Sequence, residues 1–184
     1  LANLIEEMLD ISRINIGPLH LDFEEFDLRQ ALLGVLERMS EQLLESKTET
    51  RVSPGPPVLV NWDRFRIEQI IVNLTTNAMK YGKEQPIHFE LERLGDSVRF
   101  SVRDEGIGIA TEDQARIFER FERAVSAKHF GGLGLGLYIC RQIAKAHGGT
   151  IRVESQADQG SEFVVELPRD PQVLSRPSLE TRLA

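Results

Sequence analysis

The first sixteen residues, LANLIEEMLDISRINI, set Leu1, Leu4, Ile5, Met8 and Ile11 on one side at helical spacing, with acidic residues on much of the other. Gly17-Pro18 stops this helix. So apolar a stripe needs a partner. It predicts half of a coiled-coil-like hairpin or dimer stalk, or else a helix folded back on its own domain. Further on, an extended piece around Phe23–Leu28 leads to a helix near Arg29–Ser46. A turn-rich bridge, SPGPP at 53–57, precedes a short strand at Val58–Val60. A second helix runs from about Asp63, a candidate N-cap, to Tyr81. Alternating runs at Ile87–Arg93 and Val98–Arg103, split by Gly95-Asp96, predict a hairpin. Next come a glycine loop at 104–109, a helix near Glu112–Arg120, a flexible stretch to Gly132 and a helix from about Gly134 to His147 closed by Gly148-Gly149. Thr150–Ser155 and Glu162–Leu167 predict a final hairpin, and DPQVLSRPSLETRLA a loose tail. Locally paired strands interleaved with helices give an α+β fold, a two-layer sandwich with helices on one face.

Composition narrows the class. A hydrophobic share of 41% and a charged share of 28% are those of an ordinary globular chain. The net charge of −7 offers no electrostatic route to nucleic acid. No apolar run approaches the roughly 20 residues needed to span a bilayer. Cys140 alone cannot form an internal disulfide, which fits a reducing compartment; it reads as a small core residue beside Ile139. The chain opens at Leu1 inside a periodic pattern, so it reads as a piece of a longer protein. The expected location is cytoplasmic, compatible with a membrane anchor upstream.

Four segments carry chemistry. Asn73, Asn77, Lys80 and Tyr81 are spaced by four, three and one, so they share a helix face or its C-terminal end. Their apolar neighbours Ile70, Ile71, Val72, Leu74 and Ala78 make them odd core residues, because an unpaired buried amide costs about 1–3 kcal/mol. They meet a ligand, each other, or water on a polar helix face. A hard cation such as Mg²⁺ accepts amide oxygens, and Lys80 can face a phosphate. Asp104-Glu105-Gly106-Ile107-Gly108-Ile109 follows a strand; its glycines permit close approach, and Asp104 could accept from an exocyclic amine. A plain turn is the other reading. In IFERFER, Phe118 and Phe121 lie one helical turn apart and anchor a helix to the core. Gly131-Gly132-Leu133-Gly134-Leu135-Gly136 opens a helix, freeing N–H groups for an anion or forming a glycine-rich linker. It lacks the Lys-Ser/Thr ending of a Walker loop and does not follow a strand.

In this order the four segments resemble the catalytic domain of sensor histidine kinases, within the wider family of gyrase-type and heat-shock ATPases, over about Phe26 to Leu167. The resemblance implies three regions. Residues 1–22 would be the end of a dimerisation and phosphotransfer hairpin with its linker, 23–168 the ATP-binding domain and 169–184 a tail. It implies ATP and Mg²⁺ as ligands, with Asn77 on the metal and Asn73 beside it. Lys80 would lie on the phosphates, Tyr81 along the adenine, and Asp104 on the adenine amino group. Gly106 and Gly108 would let backbone pass the base, Gly132, Gly134, Leu135 and Gly136 would frame the phosphates, and Arg123 would approach the terminal phosphate. Asn73, Lys80 and Arg123 would then form the catalytic set, with segment 124–131 as a lid in which Lys128 or His129 could reach a phosphate. The implied partners are a phospho-accepting histidine on its own or a partner hairpin, a response regulator, and a second copy in a full-length homodimer.

One position separates the branches. Gyrase-type ATPases carry a water-activating glutamate four residues before the metal-binding asparagine; Asn73 stands there and cannot serve as a general base. This favours a kinase over an ATPase and over serine kinases or anti-sigma factors of the same family. Intact Asn77, Asp104 and glycines argue against a non-catalytic binding module. His20, His88, His129 and His147 all lie outside a His-acid-x-Arg-x-Pro setting, so none is assigned as the phospho-acceptor.

Overall fold

A computed structural model of the chain describes residues 19–122 and 134–174. The expected N-terminal helix, Arg123, Gly132 and the 124–131 segment with Lys128 and His129 lie outside these residues, as do tail residues 175–184.

Five strands form one mixed sheet, built from β2 (Thr50–Val52), β4 (Ile87–Leu94), β5 (Ser97–Asp104), β6 (Thr150–Ser155) and β7 (Ser161–Pro168). The order across it is β2-β4-β5-β7-β6, with β2 parallel to β4 and every other pair antiparallel. Strand alternation sorts the two faces. In register, Val52, Phe89, Val102, Phe163 and Val153 make one apolar row, and Leu91, Phe100, Val165 and Ile151 make another. The opposite face carries Arg51, His88, Arg103, Glu162 and Glu154 in one row. The apolar face is covered by the helices α1 (Leu28–Arg38), α3 (Arg64–Tyr81) and α4 (Gly136–Ala146), which contribute Leu28, Val35, Ile67, Ile70, Leu74, Ile139 and Ile143 to one core. This is the two-layer α+β sandwich expected from the pattern. A separate two-stranded sheet pairs β1 (Glu24–Asp27) with β3 (Leu59–Trp62).

Caps fix the helix starts. Asp27 accepts from Arg29 N at 3.0 Å and also from Val58 N at 2.9 Å, so one carboxylate caps α1 and holds the bridge. Asp63 caps α3 by accepting from Arg66 N at 3.0 Å, as its position implied.

Several elements differ from expectation. The Arg29–Ser46 helix is two pieces, α1 and α2 (Ser40–Glu45), meeting at Met39, whose ψ of 3° turns the axis while hydrogen bonds run on through it. Strand β2 lies between the expected helix and the SPGPP bridge, where no element was expected; three residues give too short a pattern to stand out. The Glu112–Arg120 helix is a series of turns with one 3-10 turn, Arg116–Phe118. Phe118 is buried and packs edge-on against Phe163 at 6.3 Å, but Phe121 is 58% exposed with φ +65°, so the two do not share an anchoring face. Val72, expected among core neighbours, is 38% exposed. At the start of the expected tail, Asn61 N donates to Arg169 O and Asn61 Nδ2 to Asp170 Oδ1, and a short helix α5 (Pro171–Leu174) follows. Among the described residues, no helix is long and apolar enough to cross a membrane.

Candidate functional site

Three of the four chemical segments meet at one end of the helical layer. The last turn of α3 abuts the loop after β5: Ile107 N donates to Tyr81 O at 3.2 Å, and a Cβ on Gly106 would fall 2.0 Å from that same oxygen. Only glycine allows this contact. Gly108 has φ +65°, and a Cβ there would fall 1.9 Å from Gln156 O in the β6–β7 turn. The first turn of α4 joins from the other side, with Asn73 Nδ2 3.5 Å from Gly136 O. A Cβ on Gly136 would sit 3.5 Å from Asn73 Oδ1. The Asn73 carboxamide also hydrogen-bonds the thiol of Cys140, one turn further along α4. Cys140 is fully buried next to Ile139, and burial pushes its thiol up to about 12.

Asp104 ends β5 and is 5% exposed. Burial raises its carboxyl above the ordinary carboxylate range, opposed by hydrogen bonds from the backbone of Gly106 and Ser161. The Gly106 N–H reaches Asp104 Oδ1 at 2.9 Å. Among the described residues the Asp104 carboxylate has no ion-pair partner, and backbone donors fix it, so it can accept a further hydrogen bond from a donor brought to it.

Asn73 and Asn77 are half-buried on α3, and Lys80 and Tyr81 occupy its last turn. The Lys80 ammonium lies 5.2 Å from the Tyr81 ring centroid, a cation–π contact at the rim of the site. Leu135 is buried as a core side chain and stands at the N-cap of α4, where it makes no side-chain capping bond. Any part it plays toward a ligand is therefore through its backbone. The first N–H groups of α4 receive no side-chain cap from it, and such groups at a helix start are free to meet an anion. Gly134 has φ +71° and its carbonyl accepts from Phe121 N at 3.2 Å, so the chain leaves at Phe121 and returns at Gly134 to one point. Arg123 and Gly132 fall in the interval outside the described residues.

Sequence reasoning missed the residues that hold this site from behind. Ser155, Gln114, Ser161 and Gly160 bond to or press on the Asp104–Ile109 loop, and Gly82, whose Cβ would meet Ala78 O at 2.4 Å, packs beside Asp104. Only the glycines left a sequence signal, since Gly160 in a DQGS turn marks a positive φ.

Among the described residues no group of three or more His, Cys, Asp or Glu could hold a metal ion. Two half-buried carboxamides fit a different arrangement, in which a hard cation takes most of its ligands from substrate phosphates and water.

The family of histidine kinase-, DNA gyrase B- and HSP90-like ATPases matches residues 62–171. The circadian input-output histidine kinase CikA of Synechococcus elongatus is 32% identical over 98% of this chain and 25% of its own length. The chain thus spans about a quarter of that relative. The catalytic domain of histidine kinase ThkA superposes with a TM-score of 0.74 at 30% identity, covering 83% of this chain and 99% of that one. ThkA has also been solved in complex with the response regulator protein TrrA. Full-length ShkA in complex with AMPPNP gives a TM-score of 0.79 at 32% identity over 90% of this chain and 35% of that one. The family match and the shared fold agree with the order of the motifs: this chain belongs to the histidine kinase-, DNA gyrase B- and HSP90-like ATPases and carries an ATP-binding catalytic domain of the histidine kinase type.

Proposed function

We propose that the domain binds Mg-ATP between α3, α4 and the Asp104–Ile109 loop and, within a longer protein, presents the γ-phosphate to a histidine on a dimerisation hairpin. The observation that carries this reading is the buried, backbone-held carboxylate of Asp104 beside Gly82 at the end of α3. A carboxylate accepts from the adenine amino group, whereas guanine would set a carbonyl oxygen against it, so the site should favour ATP. Tyr81 packs along the base. Lys80, the N–H groups framed by Gly132, Gly134, Leu135 and Gly136, and Arg123 face the phosphates. Asn77 holds Mg²⁺ with Asn73 beside it; the ion, when bound, neutralises phosphate charge. Asn73 has no basic group to activate water, so hydrolysis is slow and the phosphoryl group is kept for transfer, which depends on positioning and charge neutralisation.

Residues 1–22 are read as the end of the hairpin and its linker, acting in a homodimer that passes the phosphoryl group on to a response regulator. The setting is cytoplasmic. His147, buried with both ring nitrogens engaged, is no acceptor, and the chain alone should not label itself with γ-labelled ATP. The reading is tested by nucleotide titration with and without Mg²⁺. Asn77→Ala should abolish the Mg²⁺-dependent part of the affinity and leave the metal-free part. An Asn77→Ala chain with undiminished Mg²⁺ dependence would sink the metal assignment.

A further inference from the structure

The β6–β7 turn touches the proposed base-binding loop at every step. Asp158 N donates to Ile107 O at 2.8 Å. Gly160, with φ +81°, lies so close that a Cβ there would meet Asp104 O at 2.1 Å. At the centre is one hydroxyl. Ser155 Oγ accepts from Ile109 N at 2.8 Å, donates to Gly160 O at 2.6 Å and lies 3.0 Å from Ser161 Oγ. A serine hydroxyl has one proton and two lone pairs. With its proton on Gly160 O, the other two contacts are accepted bonds, and its capacity is filled. Gln114 closes the ring, its Nε2 donating to Ser155 O at 2.7 Å and to Ile109 O at 3.1 Å. Ser161, tied to Ser155 through its hydroxyl, supplies a backbone N–H to the Asp104 carboxylate.

We infer that Ser155 is a positioning residue for nucleotide specificity, which fixes the Asp104 carboxylate and the 106–109 backbone through Ser161 and Ile109. Its hydroxyl joins both ends of the base-reading segment. Without it, Ile109 N and the Ser161 hydroxyl lose a partner in a half-buried place, and the loop samples positions in which Asp104 no longer meets the amine. Gln114 acts with it from the opposite side. This rests on the reading of Asp104 as the adenine acceptor.

The experiment titrates the 184-residue chain and its variants with adenosine, ADP, ATP and GTP, each nucleotide with and without Mg²⁺. Ser155→Ala should weaken adenosine, ADP and ATP by the same factor, about fivefold to tenfold for one lost hydrogen bond. The ATP-over-GTP preference should shrink with it, while the Mg²⁺ enhancement stays as in the parent chain. Ser155→Thr keeps the hydroxyl and should restore both. General damage would move the Mg²⁺ enhancement too. If Ser155→Ala does not fold, Gln114→Leu supplies the same reading with two bonds removed from the opposite side. Adenine affinity within about twofold of the parent in whichever variant folds, while Asp104→Asn weakens it, overturns the role of Ser155 and leaves the function standing. A parent chain with no adenine preference, or an Asp104→Asn chain that keeps it, overturns the underlying reading instead.

Discussion

His147 Nε2 accepts a hydrogen bond from the backbone N–H of Asp63 at 3.1 Å, joining the end of α4 to the start of α3. Nδ1, which lies 2.9 Å from Ile143 O, must then carry the ring proton. Phe23 and Trp62 both meet the ring edge-on, at 5.7 and 6.5 Å, so the same imidazole also receives the incoming chain. Asp22 N, donating to Asp63 Oδ2 at 3.0 Å, adds a second tie at this point.

Burial lowers the His147 pKa, against smaller opposing effects of Ile143 O and Asp63. A His with a depressed folded pKa gives stability that is whole above the unfolded value, about 6.5, and lost as pH falls through the folded value. The melting temperature should therefore drop on going from pH 7.5 toward 5. His147→Gln should flatten the part of that drop due to this ring, and melting curves of both chains across this range check it. An identical pH slope in the two would refute the assignment.

Asp104 has the opposite sign. Its folded pKa lies above the unfolded 3.8, so its contribution is favourable below that value and is lost as pH rises through the folded one. At neutral pH its charge costs the empty domain stability. The stability of Asp104→Asn relative to the parent should thus increase between pH 4 and 7, as urea unfolding at several pH values would reveal. A constant difference would mean the carboxyl titrates as if exposed.

Gly106→Ala and Gly108→Ala should each destabilise by about 2–4 kcal/mol, since a Cβ would press within 2.0 Å of Tyr81 O or 1.9 Å of Gln156 O. The α3–loop and loop–turn contacts would have to open. Gly95, with φ +61° but nothing within 4 Å of a Cβ, should cost less when replaced by alanine. Denaturant unfolding of the three variants tests the ranking.

Cys140, with its thiol held near 12 and its surface fully buried, should resist alkylation in the folded chain at pH 8 and react once urea unfolds it. Mass spectrometry after iodoacetamide treatment reads this directly. Rapid labelling of the folded chain would contradict the packing of α4 against Asn73.

What could be read from sequence was local. Helix α3 announced itself by an apolar period and Asp63 at its start, and both hairpins by alternation around turn residues. The positions Asn73, Asn77, Asp104 and Gly136 stood out because their types suit ligand chemistry. The structure sets Asn73 and Asn77 on α3, Asp104 beside the end of that helix and Gly136 against Asn73. The 112–120 stretch misled because its charged and apolar spacing resembles a helix. In the fold, Gln114 turns its side chain to Ser155 O and Ile109 O, and Ile117 and Phe118 are buried as neighbours, which a long helix would point apart. Strand β2 was hidden because three residues gain strand geometry only from pairing with β4, far away in sequence. The Ser155 network was hidden for the same reason: Ser155 lies 46 residues from the N–H it binds.

The central claim is that the buried Asp104 carboxylate reads adenine. It is tested most directly by calorimetric titration of the chain with ATP and with GTP in the presence of Mg²⁺. The account predicts that ATP binds at least about tenfold more tightly, the equivalent of about 1.4 kcal/mol, and that Asp104→Asn removes most of this margin. Equal affinities for ATP and GTP in the parent chain would contradict it.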